Sequence, residues 1–270
     1  MHSQSKTAVY AHKILSRRSK VLDWVGRLGL RLYLYRQNLF FDPDVNGEHQ
    51  FLMRLKAAGF SPKTIFDIGA NEGRWSSYVG SMWPDAEVHM FEPMSGIVAR
   101  LTERFLGKNK FHVHHAAVGA ETGKIKIFEN TELSSHSYVG ASGPDAPEVD
   151  VFSGPKCLDV AGVKRVELCK IDTEGYDLAI LNGLKKQFEA HQFSIVQFEH
   201  YQFAVSYGVR FADVTAMLRD CGYRVGKLYP EGLKEVRYGE HDWEYIVGPN
   251  FCAMSPECHA LFESMISRSS

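Results

Sequence analysis

The chain has 270 residues, enough for one large α/β domain with an extension and too few for several full domains. Its make-up, 44% hydrophobic, 12% aromatic and 23% charged, is that of an ordinary folded protein and excludes disorder, collagen and coiled coil. Thirty-one Lys and Arg stand against 32 Asp and Glu, so the net charge of −1 gives no whole-molecule field to hold nucleic acid. Five cysteines, at 157, 169, 221, 252 and 258, form no Cys-x-x-Cys pair. Reduced thiols in a cytoplasmic chain are expected. No apolar run approaches the ~20 residues that span a bilayer, and the first residues lack the apolar segment of a secretory signal.

The charge is uneven. Residues 1–41 carry eight Lys or Arg (Lys6, Lys13, Arg17, Arg18, Lys20, Arg27, Arg31, Arg36) against Asp23 alone, which leaves the remainder at −8. Ile14, Val21, Val25, Leu28 and Leu32 recur at helical spacing, with Lys13, Lys20, Arg27 and Arg31 flanking them. The pattern predicts an amphipathic helix, ended by Asp42-Pro43-Asp44. Residues 1–47 are accordingly a basic helical extension, and 48–270 the main domain.

Beyond it a helix is expected at 48–58, stopped by Gly59, then a buried strand at 64–68 and glycines leading into a helix that runs to Met82. Strands follow at 87–91, 111–115 and 124–128, with a helix at 97–106 between the first two and a loop over 130–150. The rest predicts a strand at 166–171, a helix at 178–189, a strand at 193–198, a helix at 212–221 and late strands at 223–228 and 245–254. Strands alternating with helices of this length predict a doubly wound, mostly parallel, Rossmann-like sheet.

Chemistry enters at Asp67-Ile68-Gly69-Ala70-Asn71-Glu72-Gly73. An apolar strand running into glycines and then a helix lets a ligand approach backbone at the carboxyl end of the sheet. The spacing is not Gly-x-Gly-x-x-Gly, and Asp67 would repel a pyrophosphate but suits a cation. The next strand ends in Phe91-Glu92-Pro93, where a carboxylate commonly accepts from a ribose diol. A nucleoside with a positive charge, S-adenosylmethionine, satisfies both. Alternatively, Asp67 caps the turn and Glu92 is a solvated strand end. A nicotinamide-dependent oxidoreductase or a non-catalytic cofactor-binding module would share the sheet; against the former stand the missing third glycine and Asp67.

These two segments, followed by Lys170-Ile171-Asp172-Thr173-Glu174-Gly175, resemble the FkbM family of class I S-adenosylmethionine-dependent methyltransferases, over about residues 64–254. The resemblance implies that Asp67, Gly69, Asn71 and Gly73, with Ala70 between them, line the methionine part of the cofactor. It places Glu92 and the adjoining Pro93 at the ribose, Ala117 within Ala116-Ala117-Val118-Gly119 at the adenine, and Asp172 beside the reacting methyl. It further implies O-methylation of a hydroxyl on a sugar, in a polysaccharide or glycolipid precursor or a glycosylated metabolite.

A hydroxyl needs its proton removed, so a base or a metal is expected at the rim. Asp172, Glu199 and His200 end neighbouring strands, and either an Asp/His pair acts as base or Asp172 and Glu199 hold Mg²⁺. The candidate acceptor contacts are Ser134, Ser135 and His136, which with Tyr138 form a polar knot in the long loop, and Tyr201. His112, His114 and His115 alternate across one strand without a carboxylate or cysteine cluster, and are read as structural. Trp24, Tyr33, Tyr35 and the basic stripe leave three readings: packing as a lid or against a second subunit, an anionic membrane surface, or an acidic acceptor.

Overall fold

The computed structural model describes residues 19–128, 138–139, 147–200, 208–236 and 250–267. The chain opens with α1 (Lys20–Arg36) and α2 (Glu48–Ala57), then alternates β1 (Thr64–Ile68), α3 (Arg74–Met82), β2 (Glu87–Glu92), α4 (Ser95–Arg104) and β3 (Phe111–His115). Four short strands follow, β4 (Ala117–Val118), β5 (Gly123–Phe128), β6 (Tyr138–Val139) and β7 (Glu148–Phe152). The second half runs α5 (Gly154–Ala161), β8 (Val166–Ile171), α6 (Asp177–Gly183), α7 (Lys185–Glu189), β9 (Phe193–Glu199) and α8 (Phe211–Asp220). It closes with β10 (Arg224–Tyr229), β11 (Gly232–Glu235), β12 (Asn250–Met254), a 3₁₀ turn at Pro256–Cys258 and α9 (His259–Met265).

Among the described residues the main sheet has the order β11-β10-β12-β9-β8-β1-β2-β3. Neighbours from β3 to β9 pair in parallel, whereas β12 is antiparallel to both β9 and β10. This is the expected doubly wound α/β sheet of Rossmann-like class I methyltransferase type. The strands are continuous apolar runs because both faces are covered: Thr64–Ile68 is buried throughout and β9 nearly so. Phe66, Cys169, Val196 and Phe198 face α5, α6 and α8, while Ile65, Leu168, Ile195 and Cys252 face α2, α3, α4 and α9. Each such aliphatic or aromatic side chain contributes roughly 1.5–3 kcal/mol by leaving water.

The helix expected over 178–189 is broken at Leu184, and Gly183 just before it packs so close to the chain that an added Cβ would stand 2.5 Å from Ala120 Cα. Residues 148–150, within the loop expected over 130–150, belong instead to β7, whose side chains alternate outward and inward against β5. The strands β4 to β7 make a second sheet, order β4-β7-β5-β6, beside the main one. The helices at 154–161 and 259–265 and the strand at 232–235 carry too short a period to be read. Of the strand expected at 245–254, residues 245–249 lie outside the described ones.

Helix α1 ends earlier than Asp42-Pro43-Asp44, at Arg36, where Asn38 takes a left-handed φ of 53° and its side-chain amide donates to the carbonyls of Asn46 and Leu228. Residues 37–47 are thereby fastened to β10. Gly47, φ 94°, closes the link; a Cβ there would lie 2.6 Å from the Tyr229 carbonyl carbon. Gly47→Ala combines that clash with an unfavourable φ and is expected to lower unfolding stability by about 2 kcal/mol or more in a urea titration. An unchanged midpoint would show that this fastening contributes little.

Candidate functional site

Three strand ends are stitched together above the sheet. Gly69 and Ala70 N–H donate to the Phe91 carbonyl at 2.9 and 3.2 Å, and Asp172 N–H donates to the Ile68 carbonyl at 2.9 Å. Gly69 has φ 81°, and any Cβ on it would stand 2.0 Å from the Asp172 carbonyl oxygen, so only glycine fits between the β1 and β8 ends. Asn71, also left-handed at φ 44°, turns its N–H onto Glu92 Oε2 at 3.0 Å, and Met94 N–H donates to Glu92 Oε1 at 3.0 Å. Burial pushes the Glu92 carboxyl up to about 6, against these two donors.

A cavity of about 520 Å³ opens over these strand ends, within the size range of small-molecule sites. Gly69, Asn71, Glu92 and Pro93 form one part of its wall; Ile97, Ala117, Val118, Ile125 and Ile127 form an apolar part; Asp172, Thr173, Glu174 and Tyr176 supply the rest. The second sheet thus closes the cavity from the side, which is why a wall rather than a flat sheet edge stands there.

The residues expected at the site separate into groups. Gly69, Asn71, Glu92, Pro93, Ala117 and Asp172 line the cavity. Asp67 lies behind it, buried, accepting from Ser76 Oγ at 2.6 Å. Ala70 is buried too, and Gly73 turns toward apolar Leu101 and Phe105. Glu199 and His200 end β9 off the cavity wall; His200 stacks on Phe211 at 4.5 Å, and its Nδ1 has no partner among the described residues. Ser134, Ser135, His136 and Tyr201 fall outside the described residues.

Sequence reasoning missed the group beneath the cavity. In register across β1, β8 and β9 stand Asp67, Lys170 and Gln197. Lys170 is 9% exposed, and its Nζ lies 2.9 Å from Asp172 Oδ2 and 3.7 Å from Glu48 Oε2. Burial disfavours the ammonium, but Asp172, Glu48, Asp67 and Glu199 outweigh it and hold Lys170 well above the usual lysine range. Burial likewise lifts Asp67 to about 6, opposed by Lys170 and the Ser76 hydroxyl. Glu199 is pushed well up by burial and by Asp172. Asp177 Oδ2 accepts from Thr173 N–H and Oγ1 at 3.2 and 3.0 Å, its Oδ1 accepts from Glu199 N–H at 3.3 Å, and burial with Asp172 raises it to about 7. One signal was readable: a lysine inside an apolar strand, two residues before an aspartate on the same face, has to be paired.

The arrangement does not suit a divalent ion shared by Asp172 and Glu199, since the Lys170 ammonium already stands against Asp172 and would repel it. Among the described residues no group of three His, Cys, Asp or Glu side chains could hold a metal. The histidines of β3 pack as expected: His112 Nε2 meets Glu87 at 2.6 Å, His114 Nε2 meets His89 Nδ1 at 3.1 Å, and burial lowers His89 and His114 to about 4, leaving both neutral.

The buried carboxyl of Asp177 has a stability signature. Its folded value lies above its unfolded one, so its contribution is fully present below about pH 4 and is lost as pH rises through about 7. Asp177→Asn removes that dependence. Between about pH 5 and about pH 8 the variant should gain a few kcal/mol relative to the native chain in urea titrations. A difference that does not change with pH would remove the shift.

The chain is 23% identical over 206 residues to a hexuronic acid methyltransferase, AglP, of Haloferax volcanii, covering 76% of this chain and 78% of the other. Among solved structures it is similar to a precorrin-6y C5,15-methyltransferase of Geobacter metallireducens, at 10% identity and TM-score 0.42 over 80% of this chain and 90% of that one. It is also similar to a putative RNA methyltransferase of Pyrococcus horikoshii, at 15% identity and TM-score 0.40 over 76% and 81%. The methyltransferase FkbM domain matches residues 67–225, from Asp67 under the glycine turn through Asp172 to Val225 in β10. More than half of the chain lies within that match, which favours methyl transfer over nicotinamide chemistry: the protein belongs to the FkbM methyltransferase family.

Proposed function

We propose that the chain transfers the methyl group of S-adenosylmethionine to a hydroxyl oxygen of a sugar, in a polysaccharide or glycolipid precursor or a glycosylated metabolite. The observation that carries this reading is the pair of carboxylates in the walls of one cavity, Glu92 fixed by two backbone N–H groups and Asp172 held by a buried ammonium. The similarity to a hexuronic acid methyltransferase supports a sugar acceptor.

The wall fits the cofactor. Glu92 keeps lone pairs for the ribose hydroxyls, Ile97, Val118 and Ile127 offer an apolar slot for adenine, and Gly69 and Asn71 border the methionine portion. When bound, S-adenosylmethionine supplies an electrophilic methyl on a cationic sulfur. The protein's part is mainly to aim the acceptor oxygen along the line of displacement and keep water out. Asp172 accepts the proton of the acceptor hydroxyl, and Lys170 fixes the carboxylate's position. Burial and the neighbouring Asp172 push the Glu199 carboxyl well above the carboxylate range, which leaves Asp172 the better placed base. His200, lowered to about 4 by burial, stays neutral.

Asp172→Asn is expected to cut kcat by about a hundredfold or more while changing S-adenosylhomocysteine affinity by less than about tenfold, measured by turnover and calorimetry. Retained turnover would remove Asp172 from the reaction. Affinity for S-adenosylhomocysteine should fall as pH drops below about 6, where Glu92 takes up a proton and loses acceptor strength, and the fall should vanish in Glu92→Gln. A slope that persists in the variant assigns the titration elsewhere. For the acceptor, labelled methyl groups should enter nucleotide sugars or lipid-linked glycans rather than small phenols, as an alkali-stable ether. Release as methanol in mild alkali would mean a carboxylate acceptor and overturn the hydroxyl. Since Lys170 supplies the cation beside Asp172, turnover should persist in EDTA; loss reversed by Mg²⁺ would contradict that.

A further inference from the structure

Helix α1 stands apart from both cores: none of its residues is buried. Val21, Trp24, Val25, Leu28, Leu32 and Tyr35 are between 42% and 68% exposed. At helical spacing they share an arc of about 100° along about 21 Å of axis. Lys20, Arg27 and Arg31 border one side of this arc and Arg36 the other; Leu30 alone of the exposed apolar side chains of the helix lies off it. Asp23 is the one acid of the helix and sits away from the arc. None of these four cations makes an ion pair among the described residues. Apolar face, aromatic tip and basic rims are the features of a helix lying in a membrane interface.

We infer that α1 docks the protein on an anionic phospholipid surface, with Trp24, Leu28 and Leu32 in the acyl boundary and the flanking cations on the headgroups. Charge selects this occupant over a second copy of the chain, because two such faces brought together would set basic rim against basic rim, whereas anionic headgroups neutralise both rims. The contact is peripheral: no helix among the described residues is long and apolar enough to cross a membrane. It does not depend on which acceptor is methylated.

The test is sedimentation of the full chain with vesicles of phosphatidylcholine, with and without phosphatidylglycerol, in about 0.1 M salt. Binding should require phosphatidylglycerol. It should be lost in Leu28→Glu/Leu32→Glu and weakened by about tenfold or more in Arg27→Gln/Arg31→Gln. Both double variants should keep the native thermal midpoint, since α1 buries nothing. Failure to sediment with either vesicle overturns the inference, as does equal binding to both lipids or indifference to the arginine changes. Self-association of the free chain that Leu28→Glu/Leu32→Glu abolishes, without vesicle binding, would assign the face to a second copy instead.

Discussion

The buried ammonium of Lys170 is the constraint around which the carboxyl end of the sheet is arranged. Four carboxyl groups, from Glu48, Asp67, Asp172 and Glu199, surround one cation, so at neutral pH they cannot all be charged without cost. The result is a division of labour by environment. Asp172 has the cation against it and a side that reaches the cavity, whereas Glu199 and Asp177 are driven toward the protonated form. Such a group adds little to stability compared with an apolar replacement, but removing one partner alone would strand the rest. Its reach is also long, because Glu48 comes from α2, ahead of the segment that the family shares.

The cavity depends on this arrangement for its floor and on the second sheet for its wall. The ends of β1, β2 and β8 are joined by backbone hydrogen bonds that leave no room for a side chain at Gly69. The residues that carry Glu92 and Asp172 are thus fixed relative to each other by main chain, the alignment that the proposed reaction would need. The lateral wall, by contrast, comes from the short strands of the second sheet, through Ile125 and Ile127.

Much of the fold was legible because each parallel strand is a compact apolar run ending in a polar residue, and because glycine marks the turn after β1. The placement of His112 and His114 on one face of β3 and His115 on the other was legible from alternation alone. What escaped depends on distant partners. The close packing at Gly183, beside the break at Leu184, is against Ala120, more than sixty residues earlier in the chain. β7 was hidden because its Glu-Val-Asp-Val-Phe alternation follows a polar, proline-containing stretch. The pairing of Lys170 with Glu48 leaves no local trace, since nothing in the sequence links a strand lysine to a helix more than a hundred residues away. Asp67 was expected to face the ligand; its own strand buries it against Ser76, a partner set by the following helix.

Strand β12 lies between β9 and β10 although it is the last of the three to be synthesised. Until residues 250–254 leave the ribosome, β9 keeps an open, apolar edge and β10 has no neighbour on that side. Completion of the sheet therefore waits for a late insertion rather than growing outward strand by strand. During that interval the nascent protein carries its greatest risk of sticking to other chains, and demand for holding chaperones should peak then.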